Sequence, residues 1–185
     1  MPVIINGNGT VDTGTVLVGN SDITGLAAGS LPANVIGAGG ILQVVSVNKA
    51  DSFSTTSGTF VDVTGLNVSI TPISTTSRIY VVATIPLVSG TASSGANFCL
   101  TRNATLIGQG TSGTSQNTIA TVFHISNDFY SGTSFSIVDS PSTTSAITYQ
   151  VRVLSSGAQT SWIGRRGSDT YAGSSSTLTA MEIAG

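Results

Sequence analysis

The sequence predicts an all-β protein: a jelly-roll-like antiparallel β-sandwich head behind an extended, Gly-rich N-terminal arm. Three observations predict it. β-Branched and other apolar residues alternate with polar ones in segment after segment, at the period of two that marks a strand. Clusters of Gly, Ser, Pro and Asn separate those segments at short intervals. No segment keeps a 3.6-residue apolar period for the length of a helix.

Residues 1–40 read differently from the rest. Turn-forming residues recur every few positions: Asn6-Gly7-Asn8-Gly9, Gly14, Gly19-Asn20, Gly25, Gly29, Pro32 and Gly37-Ala38-Gly39-Gly40. Between them stand isolated apolar residues, among them Ile4, Ile5, Val16, Val18, Ile23 and Leu26. These are too few to close a core, and their recurrence suits an arm that packs on a partner. The Gly37–Gly40 stretch reads as a hinge or linker. The expected division is an attachment arm over 1–40 and a head over 41–185.

From Ile41 the strand pattern takes over. Leu42–Val47 and Thr59–Val63 are candidate strands. Leu66, Val68 and Ile70 alternate with Asn67 and Ser69. Ile79, Val81, Ala83 and Ile85 alternate with Tyr80, Val82 and Thr84, which predicts a strand covered on both faces. Asn97–Arg102, Thr118–Ile125 and Ser134–Val138 follow. Ile147, Tyr149, Val151 and Val153 alternate with Thr148, Gln150 and Arg152; then come Thr160–Ile163 and, at the end, Thr179, Met181 and Ile183. About ten short strands with turns between them suit a sandwich or jelly roll. Ser-Thr-Thr-Ser occurs at 54–57, 74–77 and 142–145, each time ahead of a predicted strand. Hydroxyl side chains bond nearby backbone groups, so these repeats read as turns.

Composition narrows the function. Only 8% of the residues are charged, and the net charge is −2. The six basic residues (Lys49, Arg78, Arg102, Arg152, Arg165 and Arg166) are scattered, whereas nucleic-acid binding needs them clustered. No apolar run is long enough for a membrane-spanning helix. No basic residue precedes a long apolar run at Met1, so no signal peptide is expected. The lone Cys99 makes no internal disulfide or Cys-based zinc site and reads as a small buried hydrophobe. So little charge gives little protection for sheet edges, which points to a homo-oligomer or larger assembly.

Catalytic chemistry has few candidates. His124 is the only imidazole and has no nucleophile elbow to serve; a hydrogen-bonded strand histidine is expected. The eight acids are far apart, with no visible pair for glycoside hydrolysis. Asn127-Asp128 alone is a poor calcium loop. No enzyme activity, cofactor or metal is expected. Two stretches could hold a ligand. One carries Phe129 and Tyr130 in a polar turn. The other carries Trp162, Arg165, Arg166 and Tyr171. Aromatic faces beside hydrogen-bonding groups suit sugars or protein surfaces. Against this, Phe129 and Trp162 could fill the core, and the arginines could pair with Asp across a subunit interface.

Several segments resemble small virion structural proteins of tailed phages, cyanobacterial and other aquatic phages among them. They are Ile41-Leu42-Gln43-Val44-Val45, Thr59-Phe60-Val61-Asp62-Val63-Thr64-Gly65-Leu66 and Val68-Ser69-Ile70-Thr71-Pro72. Asp139-Ser140-Pro141, Thr148-Tyr149-Gln150-Val151 and Ser176-Thr177-Leu178-Thr179-Ala180-Met181-Glu182-Ile183 continue the likeness. Ile5-Asn6-Gly7-Asn8-Gly9-Thr10 and Ile23-Thr24-Gly25-Leu26 resemble the starts of phage fibre proteins. The resemblance implies a homotrimer on the particle surface, docked by its arm and displaying its head outward. A tail fibre or receptor-binding protein would join a tail hub or adaptor and touch host surface glycan. A capsid cement or head-decoration protein would join the major capsid protein. A polysaccharide depolymerase is a remote third reading. None of the three involves nucleic acid or membrane insertion.

Overall fold

A computed structural model describes residues 38–113, 117–126, 129–167 and 169–185. The expected arm anchors Ile4, Ile5, Val16, Val18, Ile23 and Leu26 lie outside the described residues, as do Asn127 and Asp128.

The strands are β1 (Ile41–Lys49), β2 (Phe53–Thr55), β3 (Val61–Ile70), β4 (Arg78–Gly90), β5 (Ser94–Arg102) and β6 (Thr105–Ile107). They continue as β7 (Ala120–His124), β8 (Tyr130–Asp139), β9 (Ile147–Ser155), β10 (Ser161–Ile163) and β11 (Ser176–Ile183). A 3-10 turn spans Ser156–Ala158. Every pairing is antiparallel. In the first sheet β1 pairs with β11, β11 with β4 and β4 with β8. Short β10 and β2 extend this sheet beside the far end of β4. In the second sheet the order is β3-β9-β5, with β6 and β7 sharing the outer edge of β5.

The long strands therefore read β1-β11-β4-β8 in one sheet and β3-β9-β5-β7 in the other, the arrangement of an eight-strand jelly roll. Alternation explains why the sheets stack. Val81, Ala83 and Ile85 of β4 and Leu178 and Ala180 of β11 face Phe98 and Leu100 of β5 and Tyr149, Val151 and Val153 of β9, all buried. Phe98 of the second sheet meets Phe135 of the first, with ring centroids 6.3 Å apart. Each fully buried side chain of this size contributes about 1.5–3 kcal/mol, which makes this layer the main source of stability.

The expected strands are all present, several with longer ends and three with shorter ones: β3 starts at Val61, β7 is Ala120–His124 and β10 starts at Ser161. The separate candidates at 59–63 and 66–70 are one strand, β3, interrupted by a bulge between Asp62 and Asn67. Gly65 supplies a positive φ of 79° there. Gln150 holds the bulge from the neighbouring strand, its Nε2 donating to the Val63 carbonyl at 3.0 Å and the Leu66 carbonyl at 3.2 Å. β4 shifts register between Ile85 and Val88, where Pro86 has no N–H for the ladder. Two short strands, β2 and β6, escape a reading by alternation because three residues are too few to alternate.

Two expectations about these elements need correction. The outer face of β4 is not fully covered: Thr84 is exposed, and Tyr80 and Val82 are half-buried. The repeat at 54–57 does precede a strand, β3, but begins inside another, since Ser54 and Thr55 belong to β2. Its turn chemistry holds, however. Thr55 Oγ1 accepts the Ser57 N–H at 3.0 Å, Ser74 Oγ the Thr76 N–H at 3.2 Å, and Thr143 Oγ1 the Ser145 N–H at 3.0 Å. Each is a hydroxyl turn closed two residues on.

Candidate functional site

Strand register brings two of the predicted ligand residues together. Tyr130 of β8 and Trp162 of β10 both stand opposite Ser89 of β4, on either side of it. Residues directly opposite in an antiparallel ladder share a face, so the two aromatics flank Ser89 on one side of the first sheet. The opposite alternation of β10 puts Ile163 in the core, so Trp162 points outward. The segment after β10 folds back over this spot: Ser89 Oγ donates to the Arg165 carbonyl at 2.8 Å. Arg165 then lays its guanidinium over the Trp162 ring, 5.9 Å from the centroid. Gly167 packs flat on the same indole, where an added Cβ would collide with the ring.

Arg166 and Tyr171 form the outer part of this loop. Arg166 Nη2 lies 3.0 Å from Asp169 Oδ2, and its guanidinium sits 5.8 Å from the Tyr171 ring centroid. Asp169 Oδ1 also accepts the Tyr171 N–H at 3.0 Å. Tyr171 is 86% exposed. Phe129, 38% exposed, precedes Tyr130, its N–H bonded to the Ser126 carbonyl at 3.2 Å. Neither Phe129 nor Trp162 belongs to the core, against the reading that they fill it. Arg166 has an acidic partner inside its own loop.

His124 is not the hydrogen-bonded strand histidine expected. It is fully buried, and neither ring nitrogen has a partner. The ring packs on Gly90, where a Cβ would overlap it, and beside Ser94. Burial holds the imidazole below its usual range. Its carbonyl accepts the Ser93 N–H at 2.8 Å, so the β4–β5 turn is stapled to β7. Among the described residues no group is hydrogen-bonded to the ring nitrogens, a contact that a triad base makes.

Two of the described acids, Asp139 and Glu182, anchor the fold. Asp139 of β8 takes three hydrogen bonds from two residues of the other sheet. Arg102 Nη1 donates to Oδ1 at 2.8 Å and to Oδ2 at 2.9 Å, and the Tyr149 hydroxyl donates to Oδ2 at 2.7 Å. Burial and the adjacent carboxylate push the Tyr149 phenol far up, so it stays a donor. Glu182 is fully buried and receives the Gln43 amide and, at 2.7 Å, the Ile73 N–H. Sequence reasoning missed both anchors because their partners are remote in the chain. An open polar groove of about 300 Å³ lies between Asp62, Asn103, Gln150 and Arg152, but these groups hold one another. Arg152 Nε lies 2.8 Å from Asp62 Oδ1, and Asn103 Oδ1 accepts the Thr148 N–H at 2.9 Å. Burial pushes the Cys99 thiol up to about 11, so it is not reactive. Among the described residues no group of three His, Cys, Asp or Glu is placed to hold a metal, and no helix is long and apolar enough to cross a membrane.

No family model matches the sequence, and no curated protein sequence matches it. Solved structures with a similar chain trace come from infectious bursal disease virus. A structure of the Gt strain aligns over 77% of this chain and 38% of that one, at 15% identity and a TM-score of 0.45. A crystal structure of the VP2 subviral particle aligns over 77% and 33%, at 16% identity and a TM-score of 0.42. This chain thus spans well under half the length of either structure. Likeness at this level carries no functional argument; the jelly roll stands on the strand order itself.

Proposed function

We propose that the chain is a non-enzymatic structural protein of a virus particle, most specifically a tailed-phage fibre or receptor-binding protein. Residues 1–40 attach it, and residues 41–185 form a displayed head that touches host surface glycan. The observation that carries this reading is the corner around Ser89, where Tyr130 and Trp162 flank one point on the sheet face. Aromatic faces take the apolar faces of sugar rings, while hydroxyl and carbonyl groups alongside bind the ring oxygens. Arg165 donates to the carbonyls of Arg166 at 3.2 Å and Gly167 at 3.4 Å, and Arg166 pairs with Asp169. The loop uses both guanidinium groups to hold its own shape, which suits a neutral rather than an acidic glycan. The jelly-roll order supports the same reading, since this architecture recurs in capsid and lectin domains.

A second reading, a cement or head-decoration protein, is favoured by the low charge: with 8% of its residues charged, the chain suits burial against neighbouring subunits. An arm that binds only the assembled shell would stabilise it by mass action. Labelled antibody on intact particles of the encoding virus, viewed by electron microscopy, separates the two. Label at the tail is the expected result. Label spread over the head would make the chain a decoration protein, and particles without label would overturn the virion role.

A further inference from the structure

The register of the first sheet lays out its outer face row by row. Val44, Met181, Tyr80 and Val138 stand side by side across β1, β11, β4 and β8. The next row is Ser46, Thr179, Val82 and Ser136, and the third is Asn48, Thr177, Thr84 and Ser134. Hydrogen bonds within the rows fix the shared orientation: Ser46 Oγ to Thr179 Oγ1 at 2.8 Å and Thr84 Oγ1 to Ser134 Oγ at 3.4 Å. Twelve positions on four strands carry no charge. The first row is apolar yet open, with Val44 54% and Val138 55% exposed at its two ends. Ile41, also exposed, lies beyond that row and opposite Ile183.

We propose that this face binds a second copy of the chain about a two-fold axis parallel to the strands. Such an axis keeps each row at its own height and reverses its order. The apolar row then meets itself, with Val44 opposite Val138 of the partner subunit and Met181 opposite Tyr80 of the partner subunit. The hydroxyl rows meet hydroxyl rows, and no charge is opposed by another. This is the self-complementarity that an isologous contact needs. It also keeps the strands of the two sheets near parallel, as in aligned sheet packing. With the Ile41–Ile183 row included, strand spacing and rise give the face about 20 Å by about 25 Å, on the order of 500 Å² on each copy. Two copies bury on the order of 1,000 Å², the threshold for a specific interface. The trimer implied by the family resemblance would instead need two different surfaces in contact. The inference stands apart from the glycan reading, which concerns the Ser89 corner.

Sedimentation of the full chain at tens of micromolar tests it. The expected wild-type mass is that of a dimer. V44K puts an unpaired charge in the apolar row and should weaken association at least tenfold. Adding V138E to V44K should restore the dimer, because the two positions meet only across this axis. N67K, an exposed position on the other sheet, should leave the mass unchanged. Circular dichroism of each variant shows that the fold persists. A monomeric or trimeric wild type, a V44K protein of unchanged mass, or a double variant that stays dissociated would each overturn the proposal.

Discussion

The two ends of β5 close the sandwich in opposite ways. At Arg102 the end is held by polar groups that satisfy one another across the sheets: Arg102 and Tyr149 from one, Asp139 from the other. At Ser94 the strand stands opposite His124, a buried imidazole with no hydrogen bond. Both ends turn on residues with positive φ, Asn103 and Ala104 at the first and Ser93 at the second. The surface differs too. Phe123, Ile125, Phe129 and Tyr130 are exposed near the His124 end, in a stretch where the described residues include no Asp, Glu, Lys or Arg. One end is built to hold the fold. The other tolerates an unsatisfied group and presents aromatics, a distribution that proteins show where stability is given up for function.

Breaking the satisfied end should have the largest effect. Asp139→Ala leaves the buried Tyr149 hydroxyl and the Arg102 guanidinium without their acceptor. It should cost about 3 kcal/mol in denaturant unfolding. Tyr149→Phe removes one bond to a charged acceptor and keeps the ring in the core, so about 1.5 kcal/mol should be lost in the same assay. The reverse change is available at the neighbouring turn. Ala104 has φ 69°, a left-handed conformation that costs a non-glycine residue about 1 kcal/mol. Ala104→Gly should recover part of that, as a small rise in melting temperature.

The unsatisfied end should respond to pH instead. The unfolded chain takes a proton on His124 near the ordinary pKa of about 6.5, while the buried imidazole resists it. The unfolded state therefore binds more protons, and stability falls as pH drops below that value. Between about pH 6.5 and pH 5, above the carboxylate range, the wild type should lose melting temperature and His124→Leu should not. An equal loss in both would assign the effect elsewhere.

Alternation made the sandwich legible. Ile147, Tyr149, Val151 and Val153 of β9 face inward as alternation predicts, because a strand between core and solvent must alternate; in β11 the faces are the reverse of the expected ones, with Leu178, Ala180 and Glu182 buried and Thr179, Met181 and Ile183 outward. The bulge in β3 was hidden, since it depends on Gln150 from another strand. The inter-sheet anchor was equally hidden: Asp139 reads as a turn residue before Ser140-Pro141, and only folding brings Arg102 to it. At the candidate site the residue types were legible and their meeting was not. Phe129, Tyr130 and Trp162 stood out as aromatics in polar surroundings. The register that sets Tyr130 and Trp162 about Ser89 arises from pairing among three strands distant in sequence. His124 was misjudged because no sequence pattern reports an imidazole left without a partner.

The most direct test of glycan recognition uses the fact that the chain has one tryptophan, placed in the candidate site. Neutral host surface polysaccharide would be titrated into the full-length protein while Trp162 emission is recorded. A saturable change in emission, lost in Tyr130→Ala, is the predicted result. Binding detected by calorimetry with Trp162 emission unchanged would contradict it, and would place the ligand away from the Ser89 corner.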